Sequence, residues 1–395
     1  MVQTSLEQVN QFVLRKQHLT EGSWSNEITQ VARDVIGLHA TMPTTPYLSL
    51  VARTRHFQKA FLEDELYVRR TLGKIRCMRK TVHIVPVDMI PVVFSATRMS
   101  AELASEKYSE YLGVTREEYE RTSKQIIKVL SGKSMDTGEI KRSLKTGRNI
   151  SPIVNLMCDQ GLLIRGKPAK SWKSNLHSYH LLKDYFPSLS LNAIDEAAAK
   201  ESLTGNYISA FGPVTENDVA WWLGFLRGEI RQILRHLEDR ITRLEIRGLN
   251  KTFLMLNFKG GSFDAAGSGD TLNLLPPLDP YLMGYKDRER YLEGEHYDYV
   301  FDRGGNATST VLLDGKVIGV WDIAEKPKPT IKFLLFHNAG KNELSSIQAL
   351  AKKTGEFMLD EAVRVKRCDS MIPLSRRTAG GFMAPLKDCQ GENRS

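Results

Sequence analysis

Asp136-Thr137-Gly138-Glu139-Ile140 opens one short helical segment, and Ser151-Pro152-Ile153-Val154 opens the next, which stops at Gly161. Asp136 with an acid three residues on is a capping box, and Pro152 suits a first helical turn because its missing amide would have no partner there. Upstream, Tyr119, Ile126, Ile127 and Leu130 form an apolar stripe over 115–130 that ends at Gly132. Downstream, runs 162–165 and 177–182 flank a loop and read as a hairpin that also explains the pair His177 and His180. Three helices followed by a hairpin make a winged-helix unit.

The same order recurs on both sides. Helical spacing over 6–18, 26–38, 47–56 and 61–72 leads into strand-like runs 75–79 and 81–85; helices 195–211, 215–223 and 229–237 lead into strands 241–246 and 252–256. Beyond a glycine- and serine-rich connector, 261–269, strands 310–313, 316–323 and 330–336 precede a helix over 343–365, with Asp314-Gly315 as a hairpin turn. The expected fold is α+β: three tandem winged-helix units (1–113, 114–188, 189–262), a β-rich, barrel-like C-terminal domain (270–376) and a flexible tail (377–395).

Of the 395 residues, 41% are hydrophobic and 26% charged, as in an ordinary soluble chain, with no apolar run of membrane-spanning length and no leader-like start. A cytoplasmic protein is expected, nucleoid-associated if bacterial. Four scattered cysteines and nine histidines form no metal-ligand spacing, so reduced thiols, no metal and no cofactor are expected. The net charge of +9 favours a polyanionic partner, and its location sharpens this. Residues 116–183 hold fourteen basic and six acidic side chains, and 161–182 hold no acid at all. There Arg165, Lys167, Lys170 and Lys173 surround Trp172, which reads as an exposed ring on a basic wing tip that meets a phosphate backbone and a groove.

Chemistry is best sought in Gly37-Leu38-His39-Ala40-Thr41. An apolar helical run ends there and Met42-Pro43-Thr44-Thr45-Pro46 cannot extend it. If the junction is extended, His39 and Thr41 project to one side and address one bond. The alternative is a buried histidine bonded to backbone beside a capping threonine.

Several blocks, taken in order, resemble the winged-helix DNA glycosylases of the AlkZ and YcaQ type: Gly37 to Thr41; Arg79-Lys80-Thr81-Val82-His83-Ile84-Val85; Phe211-Gly212-Pro213-Val214-Thr215 with Asp218 and Trp221-Trp222; Leu274 to Asp279 with Gly284 to Arg288; and Val311 to Trp321. The resemblance covers most of the chain. It implies a concave face for double-stranded DNA, damaged or crosslinked, a monomer, and hydrolysis of the N-glycosidic bond of an alkylated purine. The family's catalytic pair, glutamine then glutamine or aspartate two residues on, falls on His39 and Thr41. Neutral His39 can take a proton from a water that Thr41 orients, and a purine made cationic at N7 or N3 leaves without protonation. Arg79, Thr81 and His83 alternate on one strand face beside the same cleft and the flanking phosphate. Asp279, Tyr281 and Arg288 are further candidates behind the site or on DNA, Asp279 with Arg288 reading as an ion pair. Trp221 and Trp222 read as core. The competing reading is a winged-helix DNA-binding protein without catalysis, a regulator or lesion-binding relative.

Overall fold

The computed structural model describes residues 2–257, 263 and 271–374. Strand β1 (Val2–Thr4) and helix α1 (Leu6–Lys16) come first, α1 held at its start by a Ser5/Gln8 capping box. Next are α2 (Ile28–Asp34), β2 (Leu38–His39), α3 (Thr45–Val51), α4 (Lys59–Glu63), β3 (Leu72–Arg76) and β4 (Val82–Pro86), whose strands form an antiparallel sheet ordered β2-β4-β3. Then α5 (Ile90–Tyr111), α6 (Arg116–Leu130), β5 (Met135–Asp136), α7 (Thr137–Ser143), α8 (Ser151–Asp159), β6 (Leu163–Pro168) and β7 (His177–Leu181) follow, with sheet order β5-β7-β6. The Asp136/Glu139 capping box forms as the sequence indicates.

Helices α9 (Leu182–Tyr185), α10 (Glu196–Phe211), α11 (Glu216–Leu223) and α12 (Arg227–His236) precede the hairpin β8 (Ile241–Ile246) and β9 (Thr252–Leu256). β1 pairs with β8 in parallel, so the first strand joins this sheet rather than the sheet of residues 38–86 that the 1–113 division would give it. The last part contains β10 (Leu272–Leu275), α13 (Pro280–Met283), α14 (Tyr297–Val300), β11 (Thr310–Leu313), β12 (Lys316–Ala324), β13 (Thr330–Leu335), α15 (Lys341–Leu359) and β14 (Arg364–Arg367).

Three expectations need correction. The C-terminal sheet runs β10-β11-β12-β13-β14 and is open: among the described residues β10 and β14 do not pair, so it is not a barrel. The helix expected over 343–365 ends at Leu359, where Asp360 takes φ 56°; the chain then turns to lay β14 parallel to β13. Cys77 and Cys158 are free thiols, but Cys368 is disulfide-bonded. The connector 261–269 lies outside the described residues apart from Phe263, as does the tail 377–395.

Packing ties these parts together. One core draws Val9, Val13 and Leu14 of α1, Val93 of α5, Tyr207 and Phe211 of α10, Leu244 of β8, and Tyr281, Val300 and Leu312 of the C-terminal part into a single buried cluster. α5 has no counterpart in the expected pattern, yet it packs on both α8 and α10. Its buried positions include Ala96, Thr97, Ala101, Ser105 and Ser109, small residues that let helices approach closely but leave little hydrophobic contrast to read.

Candidate active site

The helix leading to His39 ends at Asp34, four residues earlier than the apolar spacing suggests. Ile36 (φ 51°) and Gly37 (φ 94°) turn the chain out of the helix, and the Gly37 N–H donates to the Ala32 carbonyl at 2.6 Å. A Cβ on Gly37 would lie 2.6 Å from Val85 Cγ1 and 3.1 Å from the Ile84 carbonyl, so only glycine lets β2 close on β4. The chain is therefore extended over Leu38–His39, where His39 faces His83 across the antiparallel pair, and Thr41 lies in the bend after the strand. Partners directly opposite in a sheet share a face. Their rings lie 4.9 Å apart, tilted by 60°, and both are buried.

Hydrogen bonds set the roles of the ring nitrogens. The Thr41 N–H donates to His39 Nδ1 at 3.4 Å, which leaves the proton of the neutral ring on Nε2. His83 Nδ1 donates to the Thr81 carbonyl at 3.3 Å and lies 3.5 Å from Cys77 Sγ, so His83 Nε2 carries the lone pair. Thr41 Oγ1 accepts from the Val82 N–H at 3.3 Å and keeps its own proton to donate. Burial pushes His39 well below the ordinary 6.5, with the His83 and Arg79 charges acting in the same direction. Burial likewise brings His83 down to about 4. Both rings are neutral at pH 7, and among the described residues no carboxylate acts on His39.

Acid should therefore unfold the protein early. Between pH 6.5 and 4 an unfolded chain protonates these histidines and the folded chain does not, so stability falls as pH drops through that window. His83 alone accounts for about 3 kcal/mol by pH 4. Denaturant midpoints at pH 7.5 and pH 5 check this, and a midpoint unchanged at pH 5 contradicts the burial of neutral rings.

Arg79 and Lys80 both sit in the left-handed region (φ 53° and 60°) in the turn between β3 and β4, not on a strand face with His83 as the alternation implied. Thr81 precedes the strand and donates its hydroxyl to the Met78 carbonyl. The Arg79 guanidinium lies 3.8 Å above the Trp221 ring. Trp221 is thus half-buried under an arginine, whereas Trp222 packs against Tyr207 and Phe211 in the core as expected. Burial brings Arg79 down to about 10, and it remains charged at neutral pH.

The C-terminal candidates sit behind the site. Asp279 does not pair with Arg288. Its carboxylate accepts two bonds from Arg53 (2.7 and 2.8 Å), in the turn just after α3, and one from the Ser49 hydroxyl (2.7 Å) on α3, all buried. The Thr45 hydroxyl adds a bond to the Pro277 carbonyl. Asp279 thereby fixes the helix that follows the His39–Thr41 turn, a role for Arg53 and Ser49 that spacing in the sequence did not show. Tyr281 is fully buried, and its hydroxyl donates to the Gly315 carbonyl. Arg288 bonds the Tyr297 hydroxyl and the Gly305 carbonyl and stacks on Phe301.

Trp172 is not an exposed ring. It packs 4.8 Å from Tyr47 and 6.0 Å from Phe357, with Lys59 over its face, and so docks the β6–β7 loop on α3 and α15. Lys173 pairs with Glu325, and Arg165 bonds Asn155 Oδ1. Lys167 and Lys170 are exposed.

A sequence model of the AlkZ-like DNA glycosylases matches residues 32–357. The chain belongs to that family. An interstrand DNA cross-link repair glycosylase from Streptomyces sahachiroi is 22% identical over 272 residues, 65% of this chain and 71% of that protein. The solved structure of the Streptomyces sahachiroi DNA glycosylase AlkZ has a similar fold, with a TM-score of 0.74 at 18% identity, over 93% of this chain and all of that one. Within this AlkZ-like fold, the His39–Thr41 turn follows the positive-φ exit at Gly37 and precedes the helix clamped by Asp279. Among the described residues no helix is long and apolar enough to cross a membrane.

Proposed function

We propose that this chain is a monomeric DNA glycosylase that hydrolyses the N-glycosidic bond of purines made cationic at N7 or N3, bulky adducts and crosslinks included. The observation that carries this reading is the pair of buried, neutral histidines on one sheet face beside the Thr41 hydroxyl. In a family of glycosylases, these are groups suited to holding a water. The His39 Nε2–H donates to one lone pair of the water, Thr41 Oγ1 accepts one of its hydrogens and His83 Nε2 accepts the proton it loses, which leaves the other lone pair to attack the anomeric carbon. No step supplies a proton to the leaving base, which restricts the substrate to bases already cationic. Arg79 would repel such a base and an oxocarbenium-like sugar unless a DNA phosphate neutralised it, so its place is on the backbone beside the lesion.

In this reading the three small sheets with their helices act as winged-helix units around the duplex, and the β6–β7 wing contributes Lys167 and Lys170 as backbone contacts. Replacing both by glutamine should weaken duplex binding for all sequences alike and reduce the slope of log affinity against log salt by about 2. An unchanged slope takes the wing out of the interface. The activity itself is tested by incubating N7-methylated DNA with the protein, then measuring released base and abasic sites revealed by mild alkali. Strand breaks without alkali would indicate a lyase or nuclease. Duplex binding with no base release would identify a lesion-binding relative. The rate should stay flat on acidification to well below pH 6.5, because the histidines stay neutral there.

A further inference from the structure

The turn between α11 and α12 carries a side chain that stability does not account for. Leu226 is 78% exposed, the most exposed aliphatic among the large hydrophobic residues described. It also occupies the N-cap of α12 (φ −68°, ψ 143°) and makes no capping bond there. Leucine is among the poorest residues for that position, where serine, threonine, aspartate or asparagine would satisfy an amide. Its neighbour Phe225, by contrast, packs against the core. Leu226 therefore gains from neither burial nor capping.

Its surroundings point to what it meets. A Cβ on Gly224, two residues before it, would lie 3.9 Å from the Arg79 Cα and amide nitrogen, so this turn lies against the turn that carries Arg79 and Lys80. Trp221, on the last turn of α11, holds the Arg79 guanidinium. Arg79 is also one of the charges acting on buried His39. Arg227 follows Leu226 and is exposed. An exposed apolar side chain thus sits on a turn packed against the one that carries Arg79, with exposed Arg227 next to it in the chain.

We propose that Leu226 is a wedge that enters the base stack of duplex DNA beside the lesion, while Arg79, fixed on Trp221, takes the flanking phosphate. This rests on the DNA glycosylase reading above. Small apolar side chains inserted at a base step unstack it and kink the duplex, and the cost is offset by the backbone contacts the kink permits. Unstacking is also what a buried catalytic pair needs, since an intrahelical nucleotide cannot reach it.

The test uses the full chain and a duplex carrying 2-aminopurine next to a tetrahydrofuran abasic analogue; stacking quenches the probe's fluorescence. Wild type should bind, read by anisotropy, and raise the fluorescence several-fold. Leu226→Ala should stay within about fivefold of wild-type affinity, because phosphate contacts dominate binding, yet lose most of the rise. Leu226→Met should keep the rise. Leu226→Ser should lose it while melting no lower than wild type, since serine caps α12. A full rise in Leu226→Ala bound to the duplex overturns the wedge and leaves the glycosylase reading standing. Failure of wild type to bind the duplex overturns the DNA reading, and the wedge with it.

Discussion

His39→Ala is expected to lower single-turnover release of N7-methylguanine from methylated duplex by about 10²-fold or more, because the attacking water loses the donor that orients it against the bond. Duplex affinity should change little, because the ring is buried and contributes no charge at neutral pH. His39→Gln is the informative companion, since it places a glutamine where the family resemblance expects one. Glutamine keeps an amide donor and acceptor for the water, so this variant should retain more activity than alanine. His83→Ala should act differently. It removes the lone pair beside His39, and its loss of rate should be recovered as pH rises and hydroxide replaces the missing base. Undiminished base release by His39→Ala would remove this pair from the mechanism.

Asp279→Ala is expected to cost about 3–5 kcal/mol of stability, because it leaves the Arg53 guanidinium unpaired in a site closed to water. Both members of the pair are 0% exposed, and among the described residues the Arg53 guanidinium has only the Ser49 carbonyl as another partner. The midpoint of denaturant unfolding should fall accordingly. Replacing both members together, Arg53→Met with Asp279→Leu, should cost much less, since no charge is then left buried. If the double variant is as unstable as Asp279→Ala, the loss comes from packing around α3 and not from a stranded charge. Activity should fall along with stability in the single variant, because α3 holds the chain that follows Thr41.

How far the sequence reveals this architecture depends on the range of the cause. Asp136 and Glu139 are three residues apart, and their capping box is readable and formed. Strands 241–246 and 252–256 begin and end where the sequence suggests, the first alternating in burial from Arg243 to Ile246 and the second burying Phe253, Leu254 and Met255 in succession. α5 escapes notice because it is buried on several sides through small residues, so no single apolar face stands out. The docked position of Trp172 is hidden for a related reason. Four cations around one ring describe a surface loop equally well whether the ring points to solvent or into a neighbouring unit, and Tyr47 and Phe357 are 125 and 185 residues away in the chain. Asp279 chose Arg53, 226 residues distant, over Arg288, nine residues on. His39 was visible because glycine and proline bracket it, but its partner ring was fixed by strand register, which spacing alone does not give.

The shared core has a consequence for synthesis. α1 buries Val9, Val13 and Leu14 against residues beyond position 200, and Asn10 bonds the Arg290 carbonyl. While a ribosome is still translating the middle of the chain, α1 lacks the share of its cover that comes from α10, β8 and the C-terminal part. The first helix made thus completes its packing late, and premature termination anywhere before about 290 leaves part of its stripe exposed to other chains. A quality-control system that removes truncated products would find this stripe a ready signal.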